Sequence, residues 1–193
     1  MESTLNEITV TSQEDLDNIP LDYNGYINIE FGTLQNPAIV KHKYTSLANQ
    51  VRVCECKNGR YIVNVINDAE VSVYGFNIVV SKDTSKISVY NDAFVYAYDK
   101  STIYSYNKSD VNATDNTIIY ARDRSTIKAH KNSKVNAYDN SMIITEDNVD
   151  IYVDKDSNSK ITAYYGCKIH TSTKDYIVDS TSKPFIYTND KNK

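Results

Sequence analysis

Residues 87–110 read ISVYNDAF, VYAYDKST and IYSYNKSD, three eight-residue units that share one pattern. Each unit begins with a β-branched residue, and its third residue is small or β-branched. This alternation is typical of a β-strand that turns one face to a core. The fifth residue is Asn or Asp, which tolerates a left-handed backbone, and the seventh is Ala or Ser. The stretch therefore predicts short strands joined by tight corners.

The same unit, here called the octad, continues through residues 63–158. Position one is β-branched in every octad, namely at Val63, Val71, Val79, Ile87, Val95, Ile103, Val111, Ile119, Ile127, Val135, Ile143 and Ile151. Ten of the twelve residues at position five are Asn, Asp or Gly, so almost every octad can end in a corner. An all-β fold, a parallel β-helix or solenoid, is predicted.

The size of the coil is less constrained, because a two-sided coil of two octads and a three-sided coil of three octads both fit the inward pattern. The outward positions decide in favour of three octads. Asn91-Asp-Ala-Phe94, Asp115-Asn-Thr-Ile118 and Asp139-Asn-Ser-Met142 recur at every third octad. We therefore predict a three-sided parallel β-helix with three octads in each 24-residue coil and four regular turns.

Three segments are expected. Residues 1–62 are predicted to form an N-terminal αβ cap, with strands over 8–10 and 26–31 and a short helix over 13–18 that Ser12 caps and Pro20 ends. Residues 63–158 form the regular octad solenoid. Residues 159–193 form an irregular C-terminal coil and tail that would block further strand addition. Within this last segment the inward pattern resumes at Ile161, Ile169, Ile177 and Phe185.

Composition narrows the function. The first residues show neither a secretory signal nor a span of membrane length, so a cytoplasmic location without membrane contact is expected. No basic cluster is visible, so a nucleic-acid partner is not expected. The formal charge of −4 conceals an acidic segment without Lys or Arg in residues 1–30. Its acidic residues are Glu2, Glu7, Glu14, Asp15, Asp17, Asp22 and Glu30.

The octad pattern resembles that of the octapeptide-repeat proteins of Gram-positive bacteria and their phages. Residues 1–43 also look like the leader that precedes such repeats, with Ile27-Asn-Ile-Glu-Phe-Gly32 followed by Asn36-Pro37 and Lys41. Two departures are the scarcity of Gly at the corners and the abundance of Tyr. The resemblance implies a solenoid architecture and carries no chemistry by itself.

No catalytic residues, cofactor or metal are predicted. The corner Asp residues lack the Gly-rich spacing of calcium-binding rolls, and Cys54-x-Cys56 with His42 does not match zinc-ligand spacing. Reduced thiols are expected, with Cys54 and Cys56 as small buried side chains and Cys167 as a corner filler. His130 and His170 fall on outward positions without a nucleophile at a recognisable spacing.

A three-octad coil would place apolar and aromatic side chains together on one of three outer faces. We predict that this face is a protein interface formed by Phe94, Tyr96, Tyr98, Ile118, Tyr120, Met142 and Ile144. The leading hypothesis is a non-enzymatic interaction protein of phage or mobile-element type, such as an anti-CRISPR-like inhibitor of host defence, acting in the host cytoplasm. The face, the acidic segment or both would bind a host protein, and a homodimer would use the same surface. The alternatives are a phage virion or tail component and a carbohydrate-binding or carbohydrate-cleaving β-helix.

Overall fold

The computed structural model describes residues 6–44, 50–164, 166–171, 177–178 and 184–188. These residues form short parallel strands and one short helix, α1 (Gln13–Asp17). The strands are β1 (Glu7–Val10), β2 (Tyr26–Ile29), β3 (Ala38–Val40), β4 (Val51–Val53), β5 (Ile62–Val65), β6 (Glu70–Val73), β7 (Ile78–Ser81), β8 (Lys86–Val89), β9 (Phe94–Ala97), β10 (Thr102–Ser105), β11 (Asp110–Ala113), β12 (Ile118–Ala121), β13 (Thr126–Ala129), β14 (Lys134–Ala137), β15 (Met142–Thr145), β16 (Asp150–Val153), β17 (Lys160–Ala163), β18 (Lys168–Thr171), β19 (Ile177–Val178) and β20 (Phe185–Thr188).

From β2 onward, successive strands alternate between two parallel sheets, so the described residues form a parallel β-solenoid of about ten turns. Sheet A runs β1-β2-β4-β6-β8-β10-β12-β14-β16-β18-β20, and sheet B runs β3-β5-β7-β9-β11-β13-β15-β17-β19. The predicted all-β solenoid is confirmed. At about 4.8 Å per strand, the ten steps of sheet A correspond to a rod about 48 Å long.

The predicted three-sided coil is wrong. Phe94 lies in register with Asp110, two octads further on, and each successive regular turn repeats at the same interval. Position one and position three carry β-branched and small side chains, and these fill the narrow space between two facing sheets. A triangular interior would leave more volume than Ala, Ser and Val can fill, and such voids are costly.

The predicted roles within the octad are confirmed. Position-one residues such as Ile103, Ile119 and Ile127 are fully buried, and corner residues adopt positive φ, as Asn91 does at 61° and Asp123 at 54°. Position seven is buried beneath each corner. The hydroxyl of Ser85 donates to the carbonyl of Lys82 at 2.7 Å, so position seven satisfies a corner carbonyl.

The N-terminal segment continues both sheets and adds α1 at their end. The predicted helix cap is confirmed, since the Ser12 hydroxyl accepts a hydrogen bond from the Asp15 amide at 3.1 Å. Leu16 on the helix is buried in the core. Gln13 pairs with the outer edge of β3: its amide nitrogen donates to the Ile39 carbonyl at 3.0 Å, and its oxygen accepts from the Ile39 amide at 2.8 Å.

The end of the chain departs from the octad interval. A two-residue insertion before β17 lengthens that turn, and β20 pairs with β18 so that Lys168 lies opposite Phe185. Phe185 is 59% exposed, which corrects the assignment of this residue to an inward position. In the part of the chain that the structure describes, no helix has the length and apolar character needed to cross a membrane.

Candidate functional site: two opposite faces of the solenoid

The seven residues predicted to form one interface lie on opposite sides of the solenoid, so the predicted single face is wrong. Sheet B carries four of them, namely Phe94, Tyr96, Met142 and Ile144. Sheet A carries Ile118 and Tyr120, and Tyr98 lies at the corner after β9. The cause is the coil size. Each turn has only two octads, one in each sheet. A motif that recurs at every third octad therefore moves to the other sheet each time it recurs.

On sheet B, the apolar side chains form two ridges with a polar floor between them. Phe94 and Tyr96 form one ridge, and Met142 and Ile144 form the other, three strands away. Phe94, Tyr96 and Met142 are 37%, 42% and 43% exposed, respectively. The floor consists of the outward residues of β11 and β13, namely Asp110, Asn112, Thr126 and Lys128. The resulting groove has a volume of about 500 Å³, and we call this surface the groove face.

Sheet A carries columns of tyrosine that run along the solenoid axis. Tyr74, Tyr90 and Tyr106 occupy the same place before the corner in three successive turns, and their rings stack at 4.9 and 5.0 Å with interplanar angles of 7° and 6°. In the next two turns Arg122 and Tyr138 take this place, with the guanidinium carbon 4.7 Å from the ring centroid. The column is thus aromatic and cationic over five turns.

A second column lies two residues earlier along the strands. The rings of Tyr104 and Tyr120 stack at 4.9 Å with an angle of 8°, and Ile118 lies on the same strand as Tyr120. We call the combined surface the tyrosine face. Its members project outward from sheet A or its adjoining corner: Tyr74, Tyr90, Tyr104, Tyr106, Ile118, Tyr120, Arg122 and Tyr138.

Stacking determines what the tyrosine face can present to a partner. Each inner ring of a column covers the faces of its neighbours, so the ring edges and hydroxyl groups point outward. Burial raises the pKa of Tyr90, and the neighbouring Tyr74 and Tyr106 raise it further, against the opposing effect of a hydrogen bond with Ser88. The phenol at the centre of the column therefore stays a neutral donor and acceptor at physiological pH.

Ion pairs border the tyrosine face at its N-terminal end. A Glu70 carboxylate oxygen accepts from Lys86 at 2.8 Å and from Lys43 at 2.9 Å. Partial burial raises the pKa of Glu70, but the hydrogen bonds from the two lysines outweigh it and lower the pKa below its usual value. Further along, Lys134 lies 4.3 Å from the ring centroid of Tyr152. The border thus combines a neutralised carboxylate with a cation that is held over an aromatic ring.

The acidic residues of the N-terminal segment do not act as one free acidic surface. Glu7 pairs with Arg52 at 3.3 Å, and Asp17 pairs with Lys41 at 3.5 Å. Asp15 accepts hydrogen bonds from Thr11 beside α1. The side chains of Glu14, Asp22 and Glu30 are exposed, and Glu2 lies outside the described residues.

The cysteines and histidines are placed as follows. Cys167 is buried and accepts a hydrogen bond from the Thr145 hydroxyl at 3.3 Å, as expected for a corner filler. Cys54 and Cys56 are free thiols that are only half-buried, which corrects their assignment as buried side chains. His170 stacks between Tyr152 and Tyr187 at 4.5 and 5.0 Å, and His130 lies 3.6 Å from Glu146. Among the described residues, no three or more His, Cys, Asp or Glu side chains are grouped so as to hold a metal ion.

The tyrosine face could have been found from the sequence. Tyr74, Tyr90 and Tyr106 recur at every second octad, as do Tyr104 and Tyr120, and aromatic residues one coil apart stack directly on one another. The recurrence of tyrosine at every second octad indicates a two-sided coil. Comparisons with protein-family models, with curated proteins and with solved structures find no match to this chain.

Proposed function

We propose that this chain is a non-enzymatic binding protein whose tyrosine face docks onto another protein. The observation that carries the proposal is the stacked array of tyrosines on a regular sheet. Tyr and Arg, together with Trp, are enriched among the residues that dominate binding energy at protein interfaces. Here they are concentrated on one side of a rigid rod.

Preorganisation supports the same function. Immobilising a flexible side chain on binding costs about 0.5–1.5 kcal/mol, and this cost is reduced when packing already holds the side chain. The tyrosines of this face are half-buried, and those in the two columns are held by ring stacking. They would therefore bind a partner without much further loss of conformational entropy.

The chemistry of the partner follows from what the face displays. Ring edges and Ile118 suit an apolar patch, the phenol hydroxyls suit carbonyl and amide groups, and Arg122 suits a carboxylate. A protein surface with an apolar centre and an acidic rim offers all three. In a phage or mobile-element setting, the partner would be a host-defence protein, and occupying its surface would inhibit it.

A carbohydrate ligand is the second candidate, since exposed tyrosine is common in sugar-binding sites. The stacking geometry favours a protein over a sugar, because apolar sugar faces pack on aromatic ring faces and here the inner rings cover each other. A virion role would require assembly into a larger particle, for which strong trimerisation of the purified chain would be the first indication.

The test combines site-specific crosslinking with affinity measurement. A photo-crosslinking residue at Ser88, beside the tyrosine columns, should capture a defined host protein in host cells, whereas the same residue at Asn112 on the groove face should capture no host protein. With that protein purified, Tyr104→Ala together with Tyr120→Ala should weaken binding about 30-fold, equivalent to about 2 kcal/mol.

The matched control is Phe94→Ala with Tyr96→Ala, which removes two aromatic rings from the opposite face. This control should retain wild-type affinity for the captured protein. Equal affinity of the wild type and the Tyr104/Tyr120 variant would refute the proposal. Tyrosine-dependent binding of polysaccharide fragments, with no protein captured from Ser88, would favour the carbohydrate alternative.

A further inference from the structure

The groove face is arranged almost symmetrically about its own centre. Its two ridges lie on β9 and β15, and its floor lies on β11 and β13, so the groove is symmetric about a line that runs along the strands between β11 and β13. A two-fold axis along this line would place a second copy face to face with the first. The copies would have antiparallel solenoid axes, and β9 of each would lie over β15 of the other.

The ridges match under this symmetry. Phe94 and Met142 share one register position along the strands, and Tyr96 and Ile144 share the next outward position. Phe94 would therefore meet the second copy's Met142, and Tyr96 would meet its Ile144, each contact occurring twice. Methionine sulfur and aromatic rings attract each other favourably, and the ridges would exclude water from both edges of the groove.

The floor of the groove carries two side chains of opposite charge that the rotation brings near each other. Asp110 lies on β11 and Lys128 on β13, one outward position further along the strand, and neither forms an ion pair with another described residue. The rotation keeps the register along the strands, so the second copy's Lys128 lies opposite Asn112 and about 7 Å along the strand from Asp110, a distance that a flexible lysine side chain can span. Two ion pairs would form between the copies, each in a space bordered by apolar ridges where charge pairing is strengthened.

Residues at the corners beside the groove would also contact residues of the second copy. Tyr98 follows β9 and Glu146 follows β15, so the tyrosine hydroxyl would donate to the second copy's carboxylate. Lys82 follows β7 and Tyr164 follows β17, so the ammonium group would meet the second copy's aromatic ring. A single rotation thus gives the ridges, the floor charges and these corner residues a partner of suitable chemistry, while Lys160 on β17 lies over Ile78 on β7.

We propose that the groove face is the interface of a two-fold symmetric homodimer of this chain. The surface between β7 and β17 measures about 24 Å along the axis and about 20 Å across, or roughly 500 Å² per copy. A stable interface buries about 800 Å² per partner. The dimer is therefore a small, reversible one, and it leaves both tyrosine faces directed outward.

A charge exchange tests the symmetry. Asp110→Lys and Lys128→Asp, made separately, each place like charges opposite each other and should weaken self-association in sedimentation equilibrium about tenfold or more. The doubly exchanged chain, with both substitutions, should dimerise like the wild type. An equimolar mixture of the two single variants should also form a heterodimer, since both of its cross-pairs have opposite charges.

Circular dichroism and thermal unfolding of each single variant control for misfolding, and recovery of assembly in the mixture shows that both chains are folded. A wild-type chain that stays monomeric at high micromolar concentration would overturn the proposal. Single variants that dimerise like the wild type, or a mixture that fails to form heterodimers, would do the same. Binding through the tyrosine face is measured separately and is unaffected by any of these outcomes.

Discussion

Each position of the octad has a separate physical task. Position one supplies apolar volume to the core, and position five accepts the left-handed backbone of the corner. Outward positions have no such constraint, so they are free to carry function. The consequence is that neighbouring residues on a strand should differ sharply in their tolerance of substitution.

Ile119 and Ile118 show this difference most directly. Ile119 is fully buried in a middle turn, so Ile119→Asp would place a carboxylate in an apolar core and should cost several kcal/mol in the free energy of unfolding. Ile118→Asp is the control, because Asp150 occupies the equivalent outward position two strands further along sheet A. Urea denaturation followed by circular dichroism measures both variants. A stable Ile119→Asp protein would contradict the inward assignment.

Corner residues stabilise the stack through the backbone and through a side-chain ladder. Asp123 has a φ of 54°, and its carboxylate accepts a hydrogen bond from the Asn107 amide at 2.8 Å, one turn below. The ladder continues upward, since the Asp123 amide donates to the Asp139 carboxylate at 3.1 Å. A substitution series at Asp123 can separate the two contributions.

Asp123→Asn should be nearly neutral, because an amide oxygen can accept the same bond and Asn also tolerates the left-handed region. Asp123→Gly keeps the backbone conformation but loses the hydrogen bond, which should cost about 1 kcal/mol. Asp123→Ala adds a left-handed penalty of about 1–2 kcal/mol. Thermal unfolding should therefore rank the variants Asn, Gly, Ala. Equal stability of the Gly and Ala variants would show that the left-handed backbone contributes little.

Among the elements, α1 has the clearest structural task, which is to cover an exposed strand edge. The Gln13 side chain satisfies both the amide and the carbonyl of Ile39 on β3, as a neighbouring strand would. An uncovered edge is a template for pairing with another chain. The side chain thus ends sheet B without adding a strand that could itself be extended.

Gln13→Ala should deprotect the Ile39 amide and promote edge-to-edge association. Two partly buried backbone groups lose their partner, so the N-terminal end should become less stable by about 1–3 kcal/mol. Hydrogen exchange at Ile39 measures this locally. Gln13→Glu retains the acceptor for the Ile39 amide and should protect it more than Ala does. Wild-type exchange in Gln13→Ala would exclude the edge-covering role.

For the whole molecule, the sequence predicted what local chemistry determines. Strand positions, inward residues and left-handed corners follow from side-chain size and backbone preference within a single octad, so the octad was sufficient. The number of strands per turn depends on how distant octads pack, and any whole number of octads satisfies the inward positions. The outward repeat of Phe94, Ile118 and Met142 favoured three octads per turn, although outward residues place no requirement on the core.

The grouping of surface residues into one candidate site depended on the predicted number of octads per turn. Tyr120 and Ile118 were identified as surface residues, but they were grouped with Phe94, which lies on the opposite sheet. The tyrosine columns were missed because ring stacking becomes visible only when residues two octads apart are aligned. The coil interval thus determines which surface residues of a solenoid lie together, whereas the fold class does not depend on it.

The two-octad turn makes the surfaces of the rod sensitive to changes of length. Removing one octad from a middle turn would retain the inward pattern of the core but rotate the following part of the chain by half a turn, exchanging its two surfaces. Tyrosines from one half would then align with ridges from the other, and neither continuous surface would survive. Removing two octads would restore the phase and shorten the rod by a single step of about 4.8 Å. A chain of this design can therefore gain or lose length and keep both surfaces continuous only in whole turns, each of two octads.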